Sequence, residues 1–162
     1  MAAGSTYTPI ATTTLGSAAA SYTFSSIPST YTDIVLIVVP KNTGGLDSFG
    51  LQFNGDTASN YSNNLMTGNG STATSSRQTS QTELNIGLIS TNDGVNVIQI
   101  MNYSNTTTNK TALGRGNVAA EMTRAVVAMW RSTAAITSIL CKAGSGNMSA
   151  GTTLTLYGIA AA

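Results

Sequence analysis

The sequence Asp33-Ile-Val-Leu-Ile-Val-Val-Pro40 contains the longest run of large aliphatic residues in this chain. Every residue from Ile34 to Val39 except Leu36 is β-branched, which favours an extended backbone. The run has no polar side, so it predicts a central strand that is covered on both faces and therefore a fold of two layers. Pro40 has no backbone N–H and ends the strand. The run is also too short to cross a bilayer as a helix.

The composition predicts one domain with an almost uncharged surface. The 162 residues include only 8% charged residues and carry a net charge of +1, whereas globular domains typically have ~25% charged residues. No basic cluster is present, so the sequence offers neither nucleic acid nor an anionic membrane an electrostatic partner. A small domain this close to neutrality is typical of a protein whose surface is occupied by partners.

The N-terminal part of the chain predicts strands on both sides of the central one. Tyr7 to Leu15 is rich in threonine and contains Pro9 near its start, which is typical of an edge strand preceded by an arm. After the central strand, Phe49, Leu51 and Phe53 alternate with smaller or polar residues, which predicts a strand with one core face. We therefore expect residues 1–15 to form an N-terminal arm and first edge strand, and residues 16–162 to form a single β-sandwich domain.

The middle of the chain is less regular. Thr57 to Gln81 is mostly Ser, Asn, Thr and Gly, which predicts a long loop that holds one short strand. Long loops in compact domains are commonly functional, so Thr67 to Gln81 is the first candidate for a contact surface, together with the arm Met1 to Leu15. The runs Leu84 to Ile89 and Val95 to Tyr103 flank a turn sequence and are expected to pair as an antiparallel hairpin.

The segment Ala119 to Trp130 fits both a helix and a strand by its spacing of apolar residues. The flanking turn residues and the strand-like length favour a strand. Two further strands are predicted at Ala135 to Cys141 and Thr152 to Ile159. Eight to ten short strands at regular spacing, without a substantial helix, predict an all-β fold, namely an antiparallel β-sandwich with jelly-roll topology.

The sequence excludes much of enzyme chemistry. It contains no histidine and a single cysteine, Cys141, so imidazole-based triads, most zinc sites and intrachain disulfides are absent. Cys141 lies in an apolar run and is expected to be a buried thiol. We expect no catalytic residues, no metal site and no cofactor, and hence a protein that is not an enzyme.

Two alternatives rest on residues that could form a sugar site. A glycan hydrolase would need two facing carboxyl groups from the six acids, which are Asp33, Asp47, Asp56, Glu83, Asp93 and Glu121. Their spacing pairs no two of them. A glycan-binding module would need an exposed aromatic platform, for which the candidates are Trp130, Tyr103, Tyr157 and Tyr61. A tryptophan at a strand end, such as Trp130, is more often a core or interface anchor than a sugar platform.

Six short stretches, spread over nearly the whole chain, are similar in sequence to a known family of proteins. They are Tyr7-Thr8-Pro9-Ile10-Ala11, Phe24 to Asp33, Leu51 to Asp56, Met101 to Thr108, Trp130-Arg131-Ser132 and Leu156 to Ile159. Together they resemble small virion structural proteins of tailed bacteriophages, particularly phages of aquatic bacteria. The resemblance implies a β-sandwich packed in homo-oligomers, often trimers, and it brings no catalytic residues.

The leading hypothesis is a non-enzymatic virion protein that is made in the host cytoplasm and decorates the capsid exterior. Such a decoration or cement protein would bind the major capsid protein or other virion proteins as a homo-oligomer, in the form of a trimer by resemblance. The alternative is a tail-fibre or receptor-binding component that recognises glycans on the host surface. Neither hypothesis involves nucleic acid or a membrane.

Overall fold

The computed structural model describes residues 6–160, and this part of the chain contains twelve β-strands and no helix. The strands are β1 Tyr7–Thr14, β2 Ser21–Phe24, β3 Asp33–Val39, β4 Asp47–Phe53, β5 Tyr61–Gly68, β6 Ala73–Gln81, β7 Leu84–Ile89, β8 Gly94–Met101, β9 Lys110–Val118, β10 Met122–Trp130, β11 Ile139–Ala143 and β12 Thr153–Ile159. The all-β prediction is confirmed. Residues 6–160 accordingly include no helix long and apolar enough to cross a membrane.

The strands form two antiparallel sheets. The large sheet has the order β1-β12-β3-β8-β9-β10-β5-β6, and the small sheet has the order β2-β11-β4-β7. Eight of the strands pair as one nested hairpin, β1 with β12, β2 with β11, β3 with β8 and β4 with β7. Because successive pairs alternate between the two sheets, the hairpin is rolled into a jelly roll. The predicted β-sandwich and its topology are confirmed.

Four more strands lengthen the large sheet beyond β8. These strands, β9, β10, β5 and β6, are called the extension below. The prediction of a long loop over Thr57 to Gln81 is wrong, because most of this segment forms the β5–β6 hairpin at the outer end of the extension. Its Ser, Thr and Asn residues adopt strand geometry because β10 provides a neighbouring strand, and β-propensity depends strongly on such context.

The segment Ala119 to Trp130 forms a strand, as the flanking residues predicted. β10 pairs with β9 across the turn from Ala119 to Glu121. In this turn Ala120 has φ = 60° and the Glu121 N–H donates to the Val118 carbonyl at 3.1 Å. The turn thus sets the hairpin register that directs Val126 and Trp130 towards the core.

The predicted hairpin between Leu84–Ile89 and Val95–Tyr103 is wrong. The two strands exist, but β7 pairs with β4 in the small sheet, whereas β8 pairs with β3 and β9 in the large sheet. The turn sequence between them crosses from one sheet to the other. Local turn signals indicate a reversal of the chain, but the core decides which strand becomes the hydrogen-bonding neighbour.

The strand β3 lies in the interior of the large sheet, between β12 and β8. Ile34, Leu36 and Val38 have no exposed surface and belong to the core between the sheets. On the opposite face Val35 is buried by its neighbours, but Val39 is 40% exposed. The prediction that β3 is covered on both faces is therefore only half right, since the small sheet covers one face and residues 6–160 provide no layer over the other.

The outer edge of β7 is closed by side chains instead of a strand. The Asn96 side chain accepts a hydrogen bond from the Leu88 N–H at 2.8 Å and donates one to the Leu88 carbonyl at 2.7 Å. Asn96 is fully buried, and its side chain joins β8 of the large sheet to β7 of the small sheet by the same kind of hydrogen bonds that pair two strands. The space for this amide depends on glycine, because a Cβ at Gly116 would lie 2.0 Å from its Oδ1 atom.

Two more polar side chains complete this edge. Asn63 accepts a hydrogen bond from the Asn85 N–H at 3.2 Å, and Arg124 donates to the Gly87 carbonyl at 3.2 Å. Both side chains come from the extension, which lies over β7. The inner face of the extension therefore combines apolar packing with the hydrogen bonds that the edge of β7 requires.

Candidate interaction surface

Within the described part of the chain, no two acidic side chains share a hydrogen-bond or ion-pair partner. Five of the six have hydrogen-bond or ion-pair partners of their own, namely Gln99 and Asn102 for Asp33, Ser48 and Ser145 for Asp47, Ala58, Asn60 and Trp130 for Asp56, Lys142 for Glu83, and Ser90 and Asn92 for Glu121. Among residues 6–160, no three His, Cys, Asp or Glu side chains are grouped as metal ligands. The hydrogen bonds and the ion pair of these carboxylates therefore stabilise turns, loops and strand ends.

Three of the four aromatic residues considered for a sugar platform are buried in the core. Trp130, Tyr61 and Tyr103 are at most 2% exposed. The Trp130 and Tyr61 rings stack with their centroids 6.3 Å apart, and the Trp130 Nε1–H donates to the Asp56 carboxylate at 2.7 Å. Hydrogen bonds from Asn60 and Trp130 lower the pKa of Asp56, while burial raises the pKa of Tyr61 to about 12. Trp130 is thus a core anchor, which was the predicted alternative to a sugar platform.

Cys141 lies in β11 and has no exposed surface. Burial raises the pKa of its thiol far above the usual range, so the thiolate does not form under ordinary conditions. The prediction of a buried thiol is confirmed. This residue offers no nucleophile.

Lys110 is a buried cation that sequence reasoning missed. Its side chain is 1% exposed, and Nζ donates to the carbonyls of Thr108 at 2.7 Å and Thr133 at 3.1 Å. Burial lowers its pKa. The position at the start of β9 gave no hint, because a lysine there is ordinarily solvated. In the fold it fastens the loop before β9 to the loop after β10.

The outer face of the large sheet is the side that points away from the small sheet. Seven of the eight large apolar side chains that are most exposed lie on this face, and they are Tyr7, Val39, Met66, Val95, Leu113, Val127 and Met129. The eighth, Leu46, precedes β4 in a loop. Exposed apolar side chains are ordinary when scattered, whereas a set confined to one face marks an interaction site.

The exposed apolar residues that lie on the extension are also contiguous. Leu113 on β9 lies opposite Val127 on β10, and in the next row Arg115 lies opposite Ala125, which lies opposite Met66. Val127 is 47% exposed and Met66 is 59% exposed. The sequence carries a signal of this face, since β10 is apolar at every position from Ala125 to Trp130 and therefore has two apolar sides.

A shallow groove of about 650 Å³ lies on this surface of the extension. Ala125 and Gly68 provide a low floor, and the longer side chains of Met66 and Arg115 line it. Arg115 is exposed, and no acid within residues 6–160 pairs with it. The outer face of the extension therefore carries an apolar patch among Ser, Thr and Asn side chains, together with the positive charge of Arg115.

The outer face of the small sheet differs in kind. Lys142 and Glu83 form an ion pair at 2.8 Å across it, over the position of Gly50. Gln52 donates to the Thr82 carbonyl at 3.0 Å on the same side, and Thr23 is exposed. Polar groups that satisfy one another, together with solvated side chains, are typical of a surface that remains in water.

The two segments expected to contact other subunits lie at opposite edges of the large sheet. Tyr7–Thr14 forms the edge strand β1, and residues 67–81 comprise the end of β5, a turn and the edge strand β6. Residues 1–5 of the predicted arm lie outside the described residues. The fold therefore does not bring the two segments together within one chain.

Comparison with known proteins adds little to this geometry. No protein-family model matches the chain, and no curated protein sequence matches it. Among solved structures, domains LG4-5 of the mouse laminin alpha1 chain are similar at 12% identity, with a TM-score of 0.30, over 90% of this chain and 40% of that chain. This chain thus spans less than half the length of that structure. A similarity of this size carries no argument about function.

Proposed function

We propose that this chain is a non-enzymatic structural protein of a bacteriophage virion, and specifically a decoration or cement protein on the capsid exterior. The observation that carries the proposal is the contiguous apolar patch on the outer face of the extension, which residues 6–160 leave uncovered. The resemblance of the sequence to virion structural proteins of tailed phages supports a place in the virion, on the capsid or in the tail. The low charge supports an assembled state.

The proposed mechanism is binding without chemistry. The outer face packs against the major capsid protein or a neighbouring virion protein and removes apolar surface from water, which contributes roughly 25 cal/mol per Å² of apolar area. A stable interface buries about 1,600 Å² in total. Because the chain binds the assembled shell and not its dissociated parts, it stabilises the shell by mass action. Copies of the chain associate with one another as a homo-oligomer.

Cryo-electron microscopy of intact virions tests the location. We expect density for the β-sandwich on the outside of the capsid shell, with the large sheet turned towards its partner. Density confined to the tail would overturn the cement role and favour the alternative receptor-binding component. In that case, a glycan array probed with the purified chain would be the next measurement.

A matched pair of variants tests the interface. Val127→Glu places a charge in the centre of the outer face, and Thr23→Glu places the same charge on the outer face of the small sheet. We expect Val127→Glu to abolish binding to shells that lack the chain and Thr23→Glu to bind like the wild type, with both variants folded by circular dichroism. Equal binding of both variants would show that the outer face is not the contact.

A further inference from the structure

The two sheets have four edges, and three of them are protected from pairing with another strand. The edge of β7 is occupied by the side chains of Asn63, Asn96 and Arg124. The edge strand β2 is only four residues long. The edge strand β1 contains Pro9 and an irregular register between Pro9 and Ala11. Short strands, prolines and bulges are the usual means by which proteins prevent edge-to-edge association.

The fourth edge, β6, has less of this protection, because its one irregularity lies near its end, between Gln78 and Gln81, where Ser80 has φ = 55°. It is nine residues long, and seven of the nine are exposed. It contains no proline and a single charged residue, Arg77, and its register with β5 is regular from Ala73 to Gln78. Within residues 6–160, no strand pairs with its outer side. The unpaired N–H and C=O groups of an edge of this length form a ready template for a strand of another chain.

We propose that β6 pairs with β6 of a second copy of this chain, antiparallel and about a two-fold axis. Residues that lie directly opposite in an antiparallel pair share one face of the sheet. In a two-fold pair of identical strands, one residue must therefore lie opposite its own copy. The regular part of β6 places this residue at Ser75 or Ser76.

The side chains of β6 suit pairing with itself. With Ser75 or Ser76 on the axis, Arg77 lies opposite Ala73 or Ser75, so the one charge of the strand does not meet its own copy. The other opposed residues are Ser, Thr and Gln, with Ala73 opposite Thr79 when Ser76 is on the axis, and hydroxyl pairs across strands are stabilising. A net charge of +1 also lets two copies approach with little repulsion.

The pairing extends an existing surface. It joins two large sheets of eight strands, so the apolar outer faces of both copies continue across the two-fold axis. Closed two-fold dimers are the commonest homo-oligomers. This inference concerns the edge of the sheet and goes beyond the proposed function, because the dimer forms in solution whether or not the outer face binds a capsid.

Cross-linking through single cysteines tests the pairing. Cys141 is buried, so a thiol introduced at the surface is the reactive one. We expect Ser75→Cys or Ser76→Cys to give a disulfide-linked dimer on mild oxidation, and Thr12→Cys on the opposite edge strand to remain monomeric on a denaturing gel. A mixture of Ser76→Cys and Thr12→Cys chains that cross-links only with each other would overturn the two-fold pairing in favour of a head-to-tail one.

A charge at the axis provides the second test, measured as the dimer dissociation constant by analytical ultracentrifugation. Ser76→Lys brings like charges together in the pair, and we expect it to raise the dissociation constant at least tenfold. Thr12→Lys and Val127→Glu should leave it unchanged. A wild-type chain that is monomeric or trimeric, or a dimer that Val127→Glu dissociates and Ser76→Lys does not, would overturn the inference. Shell binding is measured separately, so each proposal can fail without the other.

Discussion

Both faces of the large sheet carry apolar residues, but the two faces differ in how far these residues are buried. On the inner face most apolar residues are buried, and the buried polar groups of Asn96, Asn63 and Lys110 have partners. On the outer face the apolar residues are partly exposed and meet no second layer within residues 6–160. The difference shows that stability depends on the inner face, and it makes the outer face available for association.

The largest expected effect compares two residues of the same strand. Leu36→Asp places an unpaired carboxyl group in the core, and we expect it to prevent folding, because burying that group, charged or protonated, costs a large part of the ~5–15 kcal/mol that stabilise a domain. Val39→Asp, at a half-exposed position on the outer face, should fold. Circular dichroism and solubility distinguish the two variants, and a folded Leu36→Asp protein would mean that the core is misplaced.

The next effect concerns the buried amide between the sheets. Asn96→Leu removes both hydrogen bonds to Leu88 and leaves its N–H and carbonyl without partners, which should cost about 3 kcal/mol of unfolding free energy. Urea unfolding measures the loss. Asn64→Leu is the matched change on the outer face, where the side chain is exposed, and should alter stability by less than about 0.5 kcal/mol. Similar losses in both variants would contradict the comparison.

A close approach of strands gives a somewhat smaller effect. A Cβ at Gly114 would lie 2.3 Å from the Ile86 carbonyl oxygen, so β9 and β7 must separate to accommodate Gly114→Ala. Overpacking of this kind costs roughly 1–3 kcal/mol. Gly16→Ala is the control, because nothing lies within 4 Å of the added atom. Thermal unfolding should show a lower midpoint for Gly114→Ala only.

The pH dependence of stability tests the aromatic anchor of the inner face. Burial raises the pKa of Tyr61 to about 12, whereas a tyrosine in the unfolded chain titrates near 10. The unfolded chain therefore loses its proton first, and stability should fall as the pH rises from about 10 to about 12. Tyr61→Phe, which lacks this proton, should be less stable at neutral pH but should lose less stability over that interval. Urea unfolding of both proteins at several pH values measures the two losses. Equal losses of unfolding free energy in the wild type and in Tyr61→Phe would show that Tyr61 does not cause the pH dependence.

The smallest expected effect lies on the outer face itself. Val127→Thr keeps the shape of an exposed residue, so it should change the unfolding free energy of the monomer by no more than about 0.5 kcal/mol. Any larger loss under monomeric conditions would show that the outer face contributes to the stability of the single chain. The measurement is urea unfolding at low protein concentration.

The sequence predicted much of the fold because most of the chain has a clear period or a clear turn. The run Ile34 to Val39 predicted the central strand, and the apolar content of Ala119 to Trp130 predicted β10. The polar segment Thr57 to Gln81 was wrongly predicted as a loop, because its strands are stabilised by β10, which is distant in sequence. The turn before β8 misled for the same reason, since a turn does not specify the sheet that the next strand joins.

By itself, the sequence determined the fold class, the inert buried thiol and the low charge, because these follow from residue type and local spacing. The tertiary structure alone decided that residues 6–160 leave one side of the large sheet uncovered and the outer edge of β6 unpaired, and that Trp130 and Tyr61 are core. Each of these depends on which strands become neighbours. That choice is made by burial of the whole apolar surface, and no local pattern contains it.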